Sequence, residues 1–216
     1  MLVIMEELKI ENLLNLNETV AKEIFEGATY PWKVIPKISD YIIKLGKSLD
    51  KEKYEEIEEN IWVAKSAKIS KSAEIIPPCI IDEEAEIRHC AYIRGNVIIG
   101  KKAVIGNSTE VKNAIIFNEC QVPHFNYVGD SVLGYKAHMG ASSICSNVRA
   151  DKEEVTIKYK DQKIGTNLKK FGAIIGDHTE IGCGAILNPG TITAQNTIIY
   201  PLTSINGYKN KITKKL

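Results

Sequence analysis

From Val63, a step of six residues lands on Ile69, Ile75, Ile81, Ile87, Ile93, Ile99, Ile105, Val111 and Phe117. All but the last are β-branched aliphatics. Four places after each comes a second, mostly small residue: Ala67, Ala73, Cys79, Ala85, Ala91, Val97, Ala103, Thr109, Ile115 and Gln121. Neither a helix period of 3.6 nor a strand period of 2 produces a strict six with two fixed slots. A hexad repeat fits a parallel β-helix, in which each hexad makes one short strand and one corner. The aliphatic residue fills the axis, and the small one fits where the wall bends inward.

The ladder resumes at Leu133, Met139 and Cys145, and again at Ile175, Ile181, Leu187, Thr193, Ile199 and Ile205. Together these predict an all-β solenoid of about six coils. Its interruptions are the places to look for function, because loops in a repeat carry what the repeat does not. The first runs from Gln121 to Val132 and contains four residues more than the repeat needs, which predicts an extruded loop opening at His124. The second, residues 147–172, has two alternating runs around Lys160-Asp161-Gln162 and predicts a β-hairpin arm. Its basic surface would carry Lys158, Lys160, Lys163, Lys169 and Lys170.

Residues 1–60 lack the hexad and read as a helical segment, expected to cap the open end of the solenoid at 61–216. A contact with a neighbouring subunit or partner enzyme is the rival role. This segment is too short for a nucleotide-sugar pyrophosphorylase domain and holds only Gly27 and Gly46. A nucleotidyltransferase domain is therefore expected to be missing. The net charge of +1 argues neither for nor against an anionic partner such as nucleic acid. No apolar run approaches the ~20 residues of a membrane span. The five cysteines form no Cys-x-x-Cys pair, and the start lacks the pattern of a secretion signal. A reducing cytoplasm is the expected setting. The end, from Tyr208, reads as a solvated basic tail.

Counting along the ladder places chemistry. Arg94 follows the inward Ile93 and Lys112 the inward Val111, so the two cations fall one coil apart on one face. Such a pair needs carboxylates, with Glu86, Glu110 and Glu119 as candidates, or an anion such as phosphate between the cations. His124, with Asn126 and Tyr127 nearby, can take a proton from an attacking amine or hydroxyl near neutral pH. A zinc site on the wall could use His89 and His124, but residues 125–130 supply no third ligand, so no metal is expected.

These features resemble left-handed β-helix acyltransferases. Residues 85–205 are similar to the acetyltransferase half of the bifunctional enzymes that make UDP-N-acetylglucosamine, the archaeal-type sugar nucleotidyltransferase/acetyltransferases above all. The specific parts are Pro123-His124-x-x-Tyr127-x-Gly129-Asp130, with Lys112 twelve residues and Arg94 thirty residues before the histidine. The resemblance implies that Arg94 and Lys112 bind a sugar 1-phosphate and that His124 is the general base on the attacking amine. Tyr127, His138 and Asn147 would contact the acceptor, and the backbone of Ala141 would meet the acyl group of acetyl-CoA. Lys169 or Lys170 would meet phosphates of that donor, in a groove between two solenoids of a homotrimer. The chain departs from the bacterial pattern at His138, Ser142 and Val148, which bears on the acceptor rather than the reaction. Three readings stand: acetyl transfer to an amino sugar 1-phosphate, acetyl transfer to a nucleotide-linked sugar, and a non-catalytic solenoid assembling with a separate nucleotidyltransferase.

Overall fold

The computed structural model describes residues 5–211. Its body is a parallel β-helix with three walls. Wall A is built from Ile61–Ala64, Cys79–Ile81, Val97–Ile99, 114–116, 131–133, Ala173–Ile175, Thr191–Thr193 and Tyr208–Lys209. Each coil then passes through wall C and wall B before returning to wall A. Wall C runs from Lys68–Ile69 through Val104–Asn107, Gln121–His124 and His138–Met139 to Ile198–Ile199. Wall B runs from Glu74–Ile75 through Tyr92–Ile93, 110–111, 127–128 and Ile144–Cys145 to Ser204–Ile205. The described residues thus make about eight turns rather than six. The difference lies in how the first interruption is built.

No extruded loop exists between Gln121 and Val132. Val122 pairs with Ile105 and Val128 with Val111, so this stretch is continuous wall. Two strands, Glu110–Ile116 and Tyr127–Leu133, instead run through the corner from wall B to wall A. Each corner is one residue short, and its pivot, Asn113 or Asp130, adopts positive φ of 48° or 47°. Asn and Asp tolerate the left-handed region better than most residues. The shortening makes Ile116, not Phe117, the inward residue beside Ile99. Phe117 turns outward and meets Phe25 edge-on, with centroids 6.0 Å apart.

The amino-terminal segment does not sit on the open end. It lies along wall A, whose outward residues are apolar too: Trp62, Ile80, Ile98, Ile115, Val132, Ile174 and Ile192. Ile38 and Ile42 of the helix Ile38–Ser48, together with Trp32 from the preceding 3-10 turns, bury against them. Each such side chain contributes about 1.5–3 kcal/mol of burial. Gly46 lies inside this helix rather than ending it, because a Cβ there would come within 2.2 Å of the Trp62 ring. Before it, Leu16–Glu18 and Lys22–Phe25 are short 3-10 turns rather than a continuous helix. Residues 54–58 form a strand, antiparallel to Ile61–Ala64, that covers the first rung, with Ile57 exposed rather than inward.

The arm is the expected hairpin, Thr156–Tyr159 paired with Gln162–Gly165. It does not project. Val155, Ile157 and Tyr159 are buried in the same apolar layer as the amino-terminal segment. Gly190 and Gly207 let it close on the solenoid, since a Cβ would lie 2.6 Å from the Thr156 carbonyl or 2.2 Å from the Lys158 carbonyl. The chain leaves at Asn147 and returns at Phe171, whose N–H donates to the Asn147 carbonyl at 2.9 Å. The basic tail beyond residue 211 lies outside the described residues. No described helix is long and apolar enough to cross a membrane.

Candidate active site

Wall B brings most of the expected residues together. Ile93 pairs with Val111, which stacks Arg94 and Lys112 one rung apart on the outer surface, about 4.8 Å from backbone to backbone. Arg94 donates from Nη1 to Glu110 Oε1 at 2.6 Å and lies over the Tyr92 ring, 5.9 Å from its centroid. Glu110 raises the Arg94 guanidinium above its ordinary value. Among the described residues Lys112 forms no salt bridge. One of the two cations is therefore neutralised within the wall and the other is not.

On the next rung, Lys112 is followed by Gly129, its register partner. A Cβ at Gly129 would lie 2.6 Å from Tyr127 Oη and 2.8 Å from Asn147 Nδ2. Glycine thus lets the phenol and the amide pack directly over the backbone below Lys112. Burial raises the half-buried Tyr127 phenol above its usual range, helped by the charges of Glu110 and Asp130. The amide is fixed from behind. Asp130 is buried and accepts from Asn113 Nδ2 at 2.7 Å through one oxygen and from Asn147 Nδ2 through the other. The two shortened corners are what bring Asn113 and Asp130 into this relation. Arg94, Lys112, Tyr127 and Asn147 therefore form one polar surface with a rigid backing.

His124 stands exposed at the opposite edge of wall B, on the corner where wall C ends. Asn126 holds this corner. Its Oδ1 accepts the His124 N–H at 3.0 Å, while its Nδ2 donates to Gly140 O at 2.8 Å and Ser143 Oγ at 3.0 Å. Asn126 itself is buried, so the corner is tied to the coil below, while the exposed imidazole has no hydrogen-bond partner among the described residues. Ala141 lies on that coil, directly beneath: the Ser142 N–H donates to the His124 carbonyl at 3.0 Å. Phe125, beside the histidine, is 62% exposed with φ of 51°.

Two expected contributors lie elsewhere. His138 is on wall C, where Nδ1 meets Glu180 Oε2 at 2.8 Å. Within one chain it does not share a surface with Lys112 and Tyr127. Lys169 and Lys170 are exposed in the return of the arm, immediately before Phe171, near Asn147 but not on wall B. Sequence reasoning did not find the anchoring roles of Asn113, Asn126 and Asp130. The signal for Asn113 and Asp130 was the spacing of seventeen rather than eighteen between Val111 and Val128 and between Ile116 and Leu133.

A parallel β-helix of hexads is the build of a hexapeptide-repeat transferase. The model of the GMPPB C-terminal domain family matches residues 75–166. The "Bifunctional protein GlmU" of Methanococcus vannielii is 40% identical over 109 residues, which are 50% of this chain and 26% of that protein. The "Bifunctional sugar-1-phosphate nucleotidylyltransferase/acetyltransferase" of Sulfurisphaera tokodaii is 33% identical over 145 residues, covering 59% of this chain and 36% of that one. The "Uncharacterized acetyltransferase YaiX" of Escherichia coli is 31% identical over 162 residues, 67% of this chain and 69% of that protein. The chain belongs to the hexapeptide-repeat acetyltransferases. It spans well under half the length of the two bifunctional relatives.

Proposed function

We propose that this chain transfers an acetyl group from acetyl-CoA to the amine of an amino sugar 1-phosphate such as glucosamine 1-phosphate. The observation that carries the reading is the stack of Arg94 and Lys112 on wall B, one rung above Gly129. Lys112, unpaired among the described residues, and Arg94, which can exchange Glu110 for a stronger anion, offer a site for a phosphate. Tyr127 and Asn147, packed together over Gly129, would contact the sugar. His124 then takes the proton from the amine as its nitrogen attacks the thioester carbonyl. The C–N bond forms, the C–S bond breaks, and the thiolate leaves to be protonated. Ala141, beneath His124, would offer its backbone to the acyl carbonyl, and Lys169 or Lys170 would meet donor phosphates. The relative from Sulfurisphaera tokodaii, named as a sugar-1-phosphate nucleotidylyltransferase/acetyltransferase, supports this acceptor class. A homotrimer, with the donor between two solenoids, completes the reading, and a reducing, cytoplasmic setting fits the five free cysteines.

His138, the departure that favours a nucleotide-linked sugar, lies on wall C, where its rung neighbour Glu180 engages it. The test is release of free CoA from acetyl-CoA with a panel of amino sugar phosphates and nucleotide sugars. His124→Ala is expected to lower kcat on the best substrate by about a hundredfold or more. A near wild-type rate for that variant removes His124 from the mechanism. Absence of acetyl-CoA binding by calorimetry returns the chain to a non-catalytic, assembling role.

A further inference from the structure

Where the arm folds back, it leaves a cleft of about 590 Å³ against the last coils. One side is the hairpin, which presents Thr156, Lys158 and Lys163. The other is the corner from wall B to wall A, which presents Ser146, Asn188 and Asn206. These last three continue the column begun by Arg94 and Lys112, each one residue after an inward residue of the core: Ile93, Val111, Cys145, Leu187 and Ile205. The cleft therefore lies in line with the candidate active site, and Asn147 is the residue between them.

Its charge is unbalanced. Lys158 and Lys163 are direct cross-strand partners, so both extend from the same face of the hairpin. Like charges placed opposite one another weaken a two-stranded ribbon. Arg149 is also in the cleft, but Asp151 answers it, Nε to Oδ1 at 2.9 Å. Lys160, at the hairpin turn, is answered by Glu7 at 3.3 Å. Among the described residues neither Lys158 nor Lys163 has a carboxylate within 4.0 Å. The ribbon thus holds two uncompensated ammonium groups over a polar floor of amides and hydroxyls, with walls that Gly190 and Gly207 allow to close.

We propose that this cleft is an anion site of the phosphate class, taking a phosphomonoester or diphosphate between Lys158 and Lys163. Two sources offer that chemistry: the phosphorylated nucleotide end of the acyl donor, and a free nucleotide or inorganic anion that binds independently of catalysis. The site does not depend on the acceptor assigned above, because its ligand is read directly by binding.

The probe is inorganic diphosphate, titrated by calorimetry into the full chain. Saturable binding is expected, weakened about tenfold or more in Lys158→Gln/Lys163→Gln, the loss of two charge-assisted contacts. Both lysines are exposed, so an unchanged thermal melt accompanies the substitution, and each single variant gives an intermediate result. No binding to the wild-type chain, or equal binding to the double variant, overturns the site. The sources separate in a second arm. If the donor fills the cleft, the double variant raises KM for acetyl-CoA; a smaller rise with acetyl-dephospho-CoA places the donor's 3′-phosphate there, and an equal rise places its diphosphate there. If an independent anion fills it, diphosphate binding is lost while both KM values hold.

Discussion

Arg94 and Glu110 meet across adjacent rungs of wall B at 2.6 Å, so the cation that stacks on Lys112 is already held in place before any ligand arrives. The pair is partly exposed, and its worth is positional rather than energetic. A phosphate must compete with Glu110 for Arg94 while Lys112 waits unpaired. Arg94→Ala is expected to raise KM for the acceptor about tenfold to a hundredfold, the loss of one charge-assisted contact. Glu110→Gln removes the competitor and lowers that KM. Steady-state kinetics on both variants check the order.

Gly129 lies directly beneath the ends of Tyr127 and Asn147. In Gly129→Ala the new methyl meets the ends of Tyr127 and Asn147 rather than backbone, so the coil absorbs it at a cost of about 1–3 kcal/mol. Activity should fall much further than stability, because both side chains flank the site. A melting curve alongside kcat/KM distinguishes this from simple unfolding.

Asp177 accepts the N–H of Asn15 at 2.7 Å and of Tyr135 at 2.8 Å, tying the amino-terminal segment to the solenoid. In Asp177→Asn the amide nitrogen faces one of those donors, at a cost of about 1–3 kcal/mol. Burial raises the Asp177 carboxyl above its usual range, against the pull of the two N–H groups. A carboxyl raised on folding binds its proton more tightly in the native state. Its ionised form therefore costs stability at neutral pH, and that cost is relieved as pH falls through the raised value toward about 3.9. The wild type should gain on the asparagine variant as pH is lowered from about 7 to about 4, measured by denaturant unfolding.

Three of the five cysteines, Cys79, Cys120 and Cys145, are buried in the axis, where burial pushes their thiols up, Cys145 to about 12. Cys90 and Cys183 are exposed at corners. A thiol reagent should label those two in the native protein and the other three only after unfolding.

Much of the fold was legible because the hexad is a covalent ruler. Inward residues from Val63 to Val111 could be counted, and with them the placement of Arg94 beside Lys112. What the ruler missed was two missing residues. Two one-residue deletions, at Asn113 and Asp130, leave the ladder two residues short, which in a count by six reads as four residues inserted near His124. The cover on wall A was missed for a different reason. Its signal is an apolar residue at the centre of every third strand, Trp62, Ile80 and Ile98 among them, with a period of one coil rather than one hexad. That is invisible when only inward slots are tallied. The site's backing was unread because Asp130 and Asn147 are seventeen residues apart and meet only once the corner is shortened.

The apolar outer row of wall A has a consequence for how the molecule can change. A bare solenoid behaves as a stack of independent layers, each answerable to its neighbours alone. Here one strip, from Leu8 to Ile42 with the arm beside it, is glued across many layers at once. A coil cannot be duplicated or lost without leaving that strip the wrong length. The layers are consequently expected to melt together as a single transition, and coil number in this protein is fixed by its binding rather than by its repeat.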